Sequence, residues 1–348
     1  MDKKTMKQIW YTKTIEKGEP GKNGMEMREV EIPTPGPNEV LVKTRYAAIC
    51  ATDVHMVTMG VLGAKPPRTL GHEAAGVIVS MGENAGVSGL KVGDKVTFTP
   101  VSRCEKCEMC KNGLGQYCEN AIELAGFGEY IVSDISAVYK LRPDADMLRS
   151  CITEPNTCAV RAMDIAGIKD GDNVAIAGIG GIGMIILNHI ILSGAANITV
   201  LEPSVNKHAI AKAMGAQYCI DPTKEDVEAR TAEITGGHGF DVVFECSGFP
   251  GAAQNPLKML AKCGKAIYFA VFPPTFEMPL NLYDLYMKEA SIHTVFTSPD
   301  LVHRSINSLD RLQIDKIIGK IVPFENWEEG MDAFDSKQYA KVVYDFGE

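Results

Sequence analysis

The sequence predicts an α/β protein with a β-rich first domain and a second domain built on a doubly wound parallel sheet. Three observations carry that expectation. The 348 residues are enough for roughly two domains at ~150 residues each. Up to about residue 155, short apolar runs ended by turn residues read as strands. From about 156 the rhythm becomes strand, helix, strand, helix.

In the first part, EVLVKTRYAAI (39–49) combines alternation with β-branched residues, and AAGVIVSMG (74–82) and KVTFTP (95–100) are short strands closed by turns. Pro33, Pro35, Gly36 and Pro37 mark the segment before them as loop. In the second part, NVAIAG (173–178) reads as a buried strand followed by an apolar helix to Ser193. NITVLE (197–202) is the next strand, and SVNKHAIAKAMGA (204–216) is a helix closed by glycine. QYCI (217–220), DVVFECSG (241–248) and KAIYFAV (265–271) repeat the strand pattern. Helical pieces then lead to a last strand, AKVVYDF (340–346).

Apolar content of 45% and charged content of 23% are those of an ordinary soluble globular protein. A net charge of −9 argues against nucleic acid or an anionic membrane as partner. The start, MDKKTMKQIWYTK, has lysines but no apolar run behind them, so no secretory signal is expected. The most apolar stretch, IGMIILNHIILSGA (182–195), is too short for a span and is interrupted by Asn188 and His189. A cytoplasmic location follows, and in a reducing compartment clustered cysteines read as metal ligands before disulfides.

Cys104, Cys107, Cys110 and Cys118 fall within CEKCEMCKNGLGQYC. Thiolates three residues apart on a tight loop can face one Zn²⁺, and four sulfurs close its tetrahedral shell. Lys106 and Lys111 would offset part of the negative charge. A closed shell leaves no position for substrate, so this zinc is expected to be structural. The other five cysteines outside the candidate sites, Cys151, Cys158, Cys219, Cys246 and Cys263, are expected to be buried thiols.

After the first strand of the second domain the chain reads AGIGGIGM, with Gly178, Gly180 and Gly183 as G-x-G-x-x-G. A strand precedes it, a helix follows, and Glu202 ends the next strand, the context that makes this a dinucleotide fingerprint. The glycines let backbone approach a pyrophosphate at the helix N-terminus. Glu202 can accept hydrogen bonds from both ribose hydroxyls of NAD and would repel the 2′-phosphate of NADP. Lys207 just downstream could reach such a phosphate, which leaves NADP open.

Two further segments, ICATDVH (49–55) and LGHEAAG (70–76), supply Cys50, His72 and Glu73: a thiolate, an imidazole and a carboxylate. Three protein ligands and one open position define a catalytic zinc. Glu154, in TEPNTC, is an alternative third ligand, with Glu73 exchanging in when substrate leaves. Asp53 is placed to orient His72 from behind.

Taken together, these segments resemble the zinc-dependent medium-chain dehydrogenase family, the group of alcohol, sorbitol, butanediol and threonine dehydrogenases. The resemblance runs in order through ICATDVH, GHEAAGVIVSMG, VGDKV (92–96), the four-cysteine lobe, Glu154-Pro155, AGIGGIG and LEPS (201–204). The pattern GHE-x-x-G-x5-G is met by Gly71, His72, Glu73, Gly76 and Gly82. The resemblance implies a GroES-like catalytic domain over 1–155 and 295–348, with the zinc lobe at about 100–120, and a Rossmann NAD-binding domain over 156–294. It puts the active site in the cleft between them. It implies two zinc ions per chain, one on Cys50, His72 and Glu154 or Glu73, the other on the four cysteines. Expected cofactor contacts are Gly178, Gly180, Gly181, Ile182, Gly183, Glu202, Lys207 and Val271. Thr52 would touch the substrate oxygen and take its proton, and His55 would pass that proton to solvent. The activity implied is hydride transfer between NAD and an alcohol, in a homodimer or homotetramer.

Three positions depart from the family pattern. Ala51 stands where a glycine is usual. MVTMG (56–60) lacks the aromatic and acidic residues of threonine dehydrogenases, and HTVFTS (293–298) lacks the arginine of sorbitol dehydrogenases. Met56 and Met59 either line the substrate cleft, favouring a less hydrophilic alcohol, or pack inside the domain. Competing readings are a zinc-ribbon binding module, a non-catalytic NAD sensor, and the zinc-free quinone reductases, which share the fold but lack the four-cysteine lobe.

Overall fold

The structure is a computed structural model that describes residues 4–16, 18–297 and 300–347. The first three residues of the N-terminal stretch and Ser298 of HTVFTS lie outside them. The chain divides into two compact units. One comprises Met1–Thr157, Ser298–Asp310 and Ile318–Glu348, the other Cys158–Thr297 and Arg311–Ile317.

In chain order, the elements that position the sites begin with β1 (Glu39–Ala48), α1 (Ala51–Met59), β2 (Glu73–Met81), β3 (Lys95–Phe98), β4 (Tyr130–Asp134), β5 (Val138–Lys140) and α2 (Thr153–Ala166). The parallel-sheet region supplies β6 (Asn173–Ala177), α3 (Gly181–Ile191), β7 (Asn197–Leu201), α4 (Val205–Met214), β8 (Tyr218–Ile220), β9 (Phe240–Glu245), β10 (Leu260–Tyr268) and β11 (Ser291–Thr294). The C-terminal stretch adds α5 (Val302–Ser308), β12 (Ile318–Pro323) and β13 (Lys341–Asp345).

The first unit is built on a sheet of order β5-β3-β2-β1-β13-β12, with β4 also paired to β1. Its central strands carry runs of consecutive buried residues, Val40–Val42 on β1 and Glu73–Gly76 at the start of β2, without strict alternation. In that core Tyr344 meets Phe127 edge-on at 5.4 Å and donates its hydroxyl hydrogen to the Trp327 carbonyl at 2.9 Å. Met56 is buried in the same core and Met59 packs against it. Of the two readings open for these methionines, Met56 takes the one that packs it inside the domain, and Met59 is partly buried against the same core. Met56 and Val57 share the buried side of α1 with Asp53.

The second unit carries a six-stranded sheet of order β8-β7-β6-β9-β10-β11, every pairing parallel. Counted from β6, this is the 3-2-1-4-5-6 order of a doubly wound dinucleotide-binding sheet. Its inner strands are apolar without alternation because both faces are covered.

Three sequence expectations change. IGKIVP (318–323) is a strand inside a region expected to be helical; its Ile-Gly-Lys-Ile-Val run is too short to outweigh the helical segments around it. SIHT (291–294) is an edge strand that was not anticipated. The KAIYFAV strand ends at Tyr268, and Val271 lies half-exposed beyond it. Among the described residues, no helix is long and apolar enough to cross a membrane.

Candidate active site

Cys50 follows β1 and caps α1, with extended backbone at φ −101° and ψ 147°. Glu73 opens β2 directly opposite Ala48 at the end of β1. The strand pairing thus brings ICATDVH beside LGHEAAG. Asp53 fastens the two segments together. It is buried, and its carboxylate accepts from the Cys50 N–H at 3.2 Å and the Gly71 N–H at 3.0 Å, and faces His72 Nδ1 at 3.3 Å. Gly71 has φ +87°, and a Cβ there would lie 2.6 Å from the Phe127 ring, so only glycine allows this approach.

Burial works against the Asp53 carboxylate, but His72 and the two backbone donors more than compensate and hold it below its ordinary range. Burial likewise opposes charge on His72, and Asp53 and Cys50 overcome it, so its affinity for a proton rises. With Nδ1 turned to Asp53, Nε2 is the nitrogen left to bind a metal.

Ligand atoms of Cys50, His72 and Glu73 all lie within 4.8 Å of one another. Soft sulfur, imidazole and carboxylate at that separation suit zinc. Glu154 sits in the first turn of α2, buried, outside that group of three. Its helix is held by a buried polar network. Asn156 Nδ2 donates to Ser305 Oγ at 2.8 Å and Ser308 Oγ at 2.9 Å, and Ser305 Oγ donates to the Thr153 carbonyl at 2.8 Å. Thr52 and His55 are half-buried, three residues apart on α1, and so share a face of that helix.

Asp53→Asn is expected to weaken metal binding about 10–100-fold by loosening His72. Competition with a chromophoric chelator measures this, and an unchanged affinity would contradict the role given to Asp53.

Sequence reasoning missed Lys341, at the start of β13. Its side chain is 5% exposed, and Nζ lies 2.5 Å from both carboxylate oxygens of Glu73, itself fully buried. The same Nζ donates to the Ile49 carbonyl at 3.3 Å. Burial opposes the ammonium charge, and Glu73, then Cys50, overcome it, with Glu154 adding to the effect, so its affinity for a proton rises. The signal was present in AKVVYDF: a lysine opening a strand of otherwise apolar, β-branched character needs a partner if it is buried.

The four cysteines of the lobe also converge, with sulfurs within 4.8 Å of one another. Backbone N–H groups point at them: Cys107 N–H to Cys104 Sγ at 3.4 Å, and Cys104 N–H to Cys118 Sγ at 3.3 Å. Backbone donation from Lys106 and Cys107 brings the Cys104 thiol down to about 6, while desolvation and its sulfur neighbours push Cys110 up to about 12. One thiolate is favoured and the next is opposed by sulfurs around it, which a divalent cation would resolve. None of the ten cysteines forms a disulfide; of the five expected to be buried thiols, Cys151 and Cys246 are buried, Cys158 and Cys219 are partly buried and Cys263 is exposed.

In the second unit, Gly178 has φ +83°, and a Cβ there would lie 2.7 Å from the Ser247 backbone. A Cβ on Gly183 would lie 2.1 Å from the Gly178 carbonyl, while one on Gly180 would meet nothing within 4 Å. Two glycines close the turn, and the third leaves open space above it, the room a pyrophosphate needs. Gly181 and Ile182 open α3, whose first N–H groups have no helical partner. Glu202 is buried; it accepts from the Ile179 N–H and the Ser204 N–H, each at 3.2 Å, and Lys207 Nζ lies 3.6 Å away. Lys207 is thus paired to Glu202. Glu245, also missed, is a buried carboxylate that accepts from Ser247 and Gly248 and shapes the turn facing Gly178. Gly180→Ala is expected to fold normally yet weaken dinucleotide binding by about 10–100-fold, a clash of ~1–3 kcal/mol. Equilibrium titration with NADH tests this, and parent-like affinity would contradict it.

Comparison with known proteins places both units. Residues 36–143 match the alcohol dehydrogenase GroES-like domain, and 181–312 match the zinc-binding dehydrogenase family. An L-threonine 3-dehydrogenase of Pyrococcus furiosus is 33% identical over 336 residues, spanning 92% of this chain and 95% of that protein. A sorbitol dehydrogenase of Halalkalibacterium halodurans is 32% identical over 290 residues, spanning 80% and 82%. Among solved structures, a protein assigned as a zinc-binding dehydrogenase from Clostridium scindens superimposes with a TM-score of 0.92 at 34% identity, covering 99% of this chain and all of that one.

Proposed function

The chain belongs to the zinc-dependent medium-chain dehydrogenases, and we propose that it transfers a hydride between NAD(H) and a secondary alcohol or the corresponding ketone. The observation that carries this reading is the convergence of Cys50, His72 and Glu73, with Asp53 bracing the imidazole from behind. A zinc ion held there would supply Lewis acidity toward an alcohol oxygen, and a nicotinamide held at the glycine turn would supply the hydride acceptor. Cys50 and His72 hold that ion, with Glu73 or Glu154 as third ligand. Thr52 accepts the hydroxyl proton while giving up its own, and His55 passes the released proton to solvent. Cys104, Cys107, Cys110 and Cys118 hold a second, structural zinc and keep their lobe folded.

NAD is the proposed cofactor because Glu202 directly follows β7, where the ribose is bound in this sheet architecture. Glu202→Ala is expected to narrow the ratio of kcat/KM for NAD over NADP by about tenfold or more, a loss of one charge-assisted hydrogen bond. A parent enzyme that already prefers NADP would overturn the assignment, since Lys207 stands beside Glu202. We place the protein in the cytoplasm as a homodimer or homotetramer. The open edge at β11, with Leu282, Tyr286 and Met287 exposed nearby, supports self-association.

For substrate we propose a diol, a polyol or another small hydroxyl compound. Burial of Met56 removes the basis for requiring an apolar alcohol. A second reading, a β-hydroxy amino acid such as L-threonine, is favoured by the threonine dehydrogenases among the relatives. NAD reduction over threonine, butanediol, sorbitol and hydroxysteroids separates these readings. Absence of turnover on every class would contradict the dehydrogenase assignment.

A further inference from the structure

Glu245 is the last residue of β9 and is fully buried. β9 lies between β6 and β10, with Glu245 opposite Ala177 on one side and Tyr268 on the other. The strand order reverses between β6 and β9, and ligands of such sheets bind in the crevice outside the carboxyl ends of those strands. A buried carboxylate there is costly unless donors compensate it. The compensation comes from the turn that follows. Ser247 donates through its N–H at 3.0 Å and through its hydroxyl, and the Gly248 N–H donates at 3.3 Å. The Ser247 hydroxyl oxygen in turn accepts from the Phe249 N–H at 3.2 Å. The Glu245 carbonyl accepts from the N–H groups of Phe269 at 2.9 Å and Ala270 at 3.1 Å, in the loop after β10. One residue thus ties two of the loops that border the crevice.

The turn held in this way has no slack on either side. A Cβ on Gly178 would stand 2.7 Å from Ser247 Cα and 2.8 Å from its N, so the first glycine of the fingerprint rests directly on Ser247. A Cβ on Gly248, at φ +63°, would lie 3.0 Å from the Val271 carbonyl oxygen. Any shift of the 247–248 turn therefore displaces the glycine turn or the loop after β10. We propose that Glu245 is a positioning residue for the dinucleotide: its carboxylate fixes the 247–248 turn as the floor under Gly178, and so sets the height of the glycine turn. The proposal rests on the dinucleotide reading of that turn. Glu245 reaches the cofactor only through Ser247 and Gly178, so its effect falls on cofactor affinity and not on the hydride step.

The test uses the full zinc-loaded chain and reads NADH affinity by fluorescence titration, KM for NAD against kcat, zinc content and melting temperature. Glu245→Gln keeps the side-chain volume but turns an amide NH2 toward donors that need an acceptor. The Kd for NADH and the KM for NAD should both rise about tenfold, with kcat within about twofold of the parent and zinc content unchanged. Ser247→Ala removes one hydroxyl and leaves both backbone donors in place. It should weaken NADH binding about threefold, and it decides the matter if Glu245→Gln fails to fold. The two substitutions together should cost less than the product of their separate effects, because both act through one turn. Parent-like NADH affinity in a folded variant, whatever its melting temperature, would overturn the proposal alone. So would a fall in kcat with KM unchanged, or losses that multiply in the double variant. A parent protein that binds no NADH would overturn both the proposal and the reading beneath it.

Discussion

Cys50→Ala is expected to fold as the parent does, keep one zinc per chain instead of two, and lose alcohol oxidation by about a thousandfold or more, the loss of ~4 kcal/mol of stabilisation at the reacting oxygen. The fold survives because Cys50 is only half-buried, at the junction of β1 and α1. Asp53 still ties α1 to Gly71, so the segment keeps its course. The soft ligand is lost, and His72 with one carboxylate holds zinc poorly. Circular dichroism, elemental zinc and initial rates together measure the three parts of this expectation. Parent-like turnover would remove the metal reading of this site.

Cys107→Ala should act through stability. Its sulfur stands among three others in a lobe that lies between the paired two-residue strands Val101–Ser102 and Ile122–Glu123 and holds a four-residue helix, Glu108–Lys111, and a short 3-10 turn, Gly115–Tyr117. None of that helix is buried, so the lobe has little apolar packing of its own. Among the contacts that join the lobe to the rest of its unit is the Arg103–Asp300 ion pair at 2.8 Å, which cannot replace four metal bonds. Loss of the metal should also lower the melting temperature by roughly 5–10 °C, for ~2–3 kcal/mol in a unit of this size. Scanning calorimetry with zinc analysis checks this. An unchanged melting temperature with two zincs retained would contradict a structural role for the lobe.

Much of this was legible in the sequence because its signals are local. The G-x-G-x-x-G turn, the strand before it and Glu202 after it lie within one stretch of the chain, and the closely spaced cysteines announce a common ligand. The rise and fall of apolar runs gave β6, β7 and β9 because those strands are buried on both faces. The signals that failed are those that depend on distant partners. Lys341 reads as a surface lysine until β13 is paired with β1 and the lysine is brought against Glu73. Ser305 and Ser308 are ordinary helix residues until α5 meets α2 and they fix Asn156 beside Glu154. Met56 and Met59 sit on a helix whose inward face cannot be chosen without the sheet beneath it, so their roles stayed open until the core was seen. The edge strand β11 is four residues long, and its exposure on alternate positions hides it among helical neighbours.

The most direct test is the zinc content of the purified protein, measured by elemental analysis on the same sample that is assayed for NAD reduction across the alcohol panel. Two zincs per chain with turnover on at least one alcohol is the predicted result. One zinc per chain and no reduction of NAD by any alcohol would contradict it, leaving a zinc-stabilised fold without the chemistry assigned to Cys50 and His72.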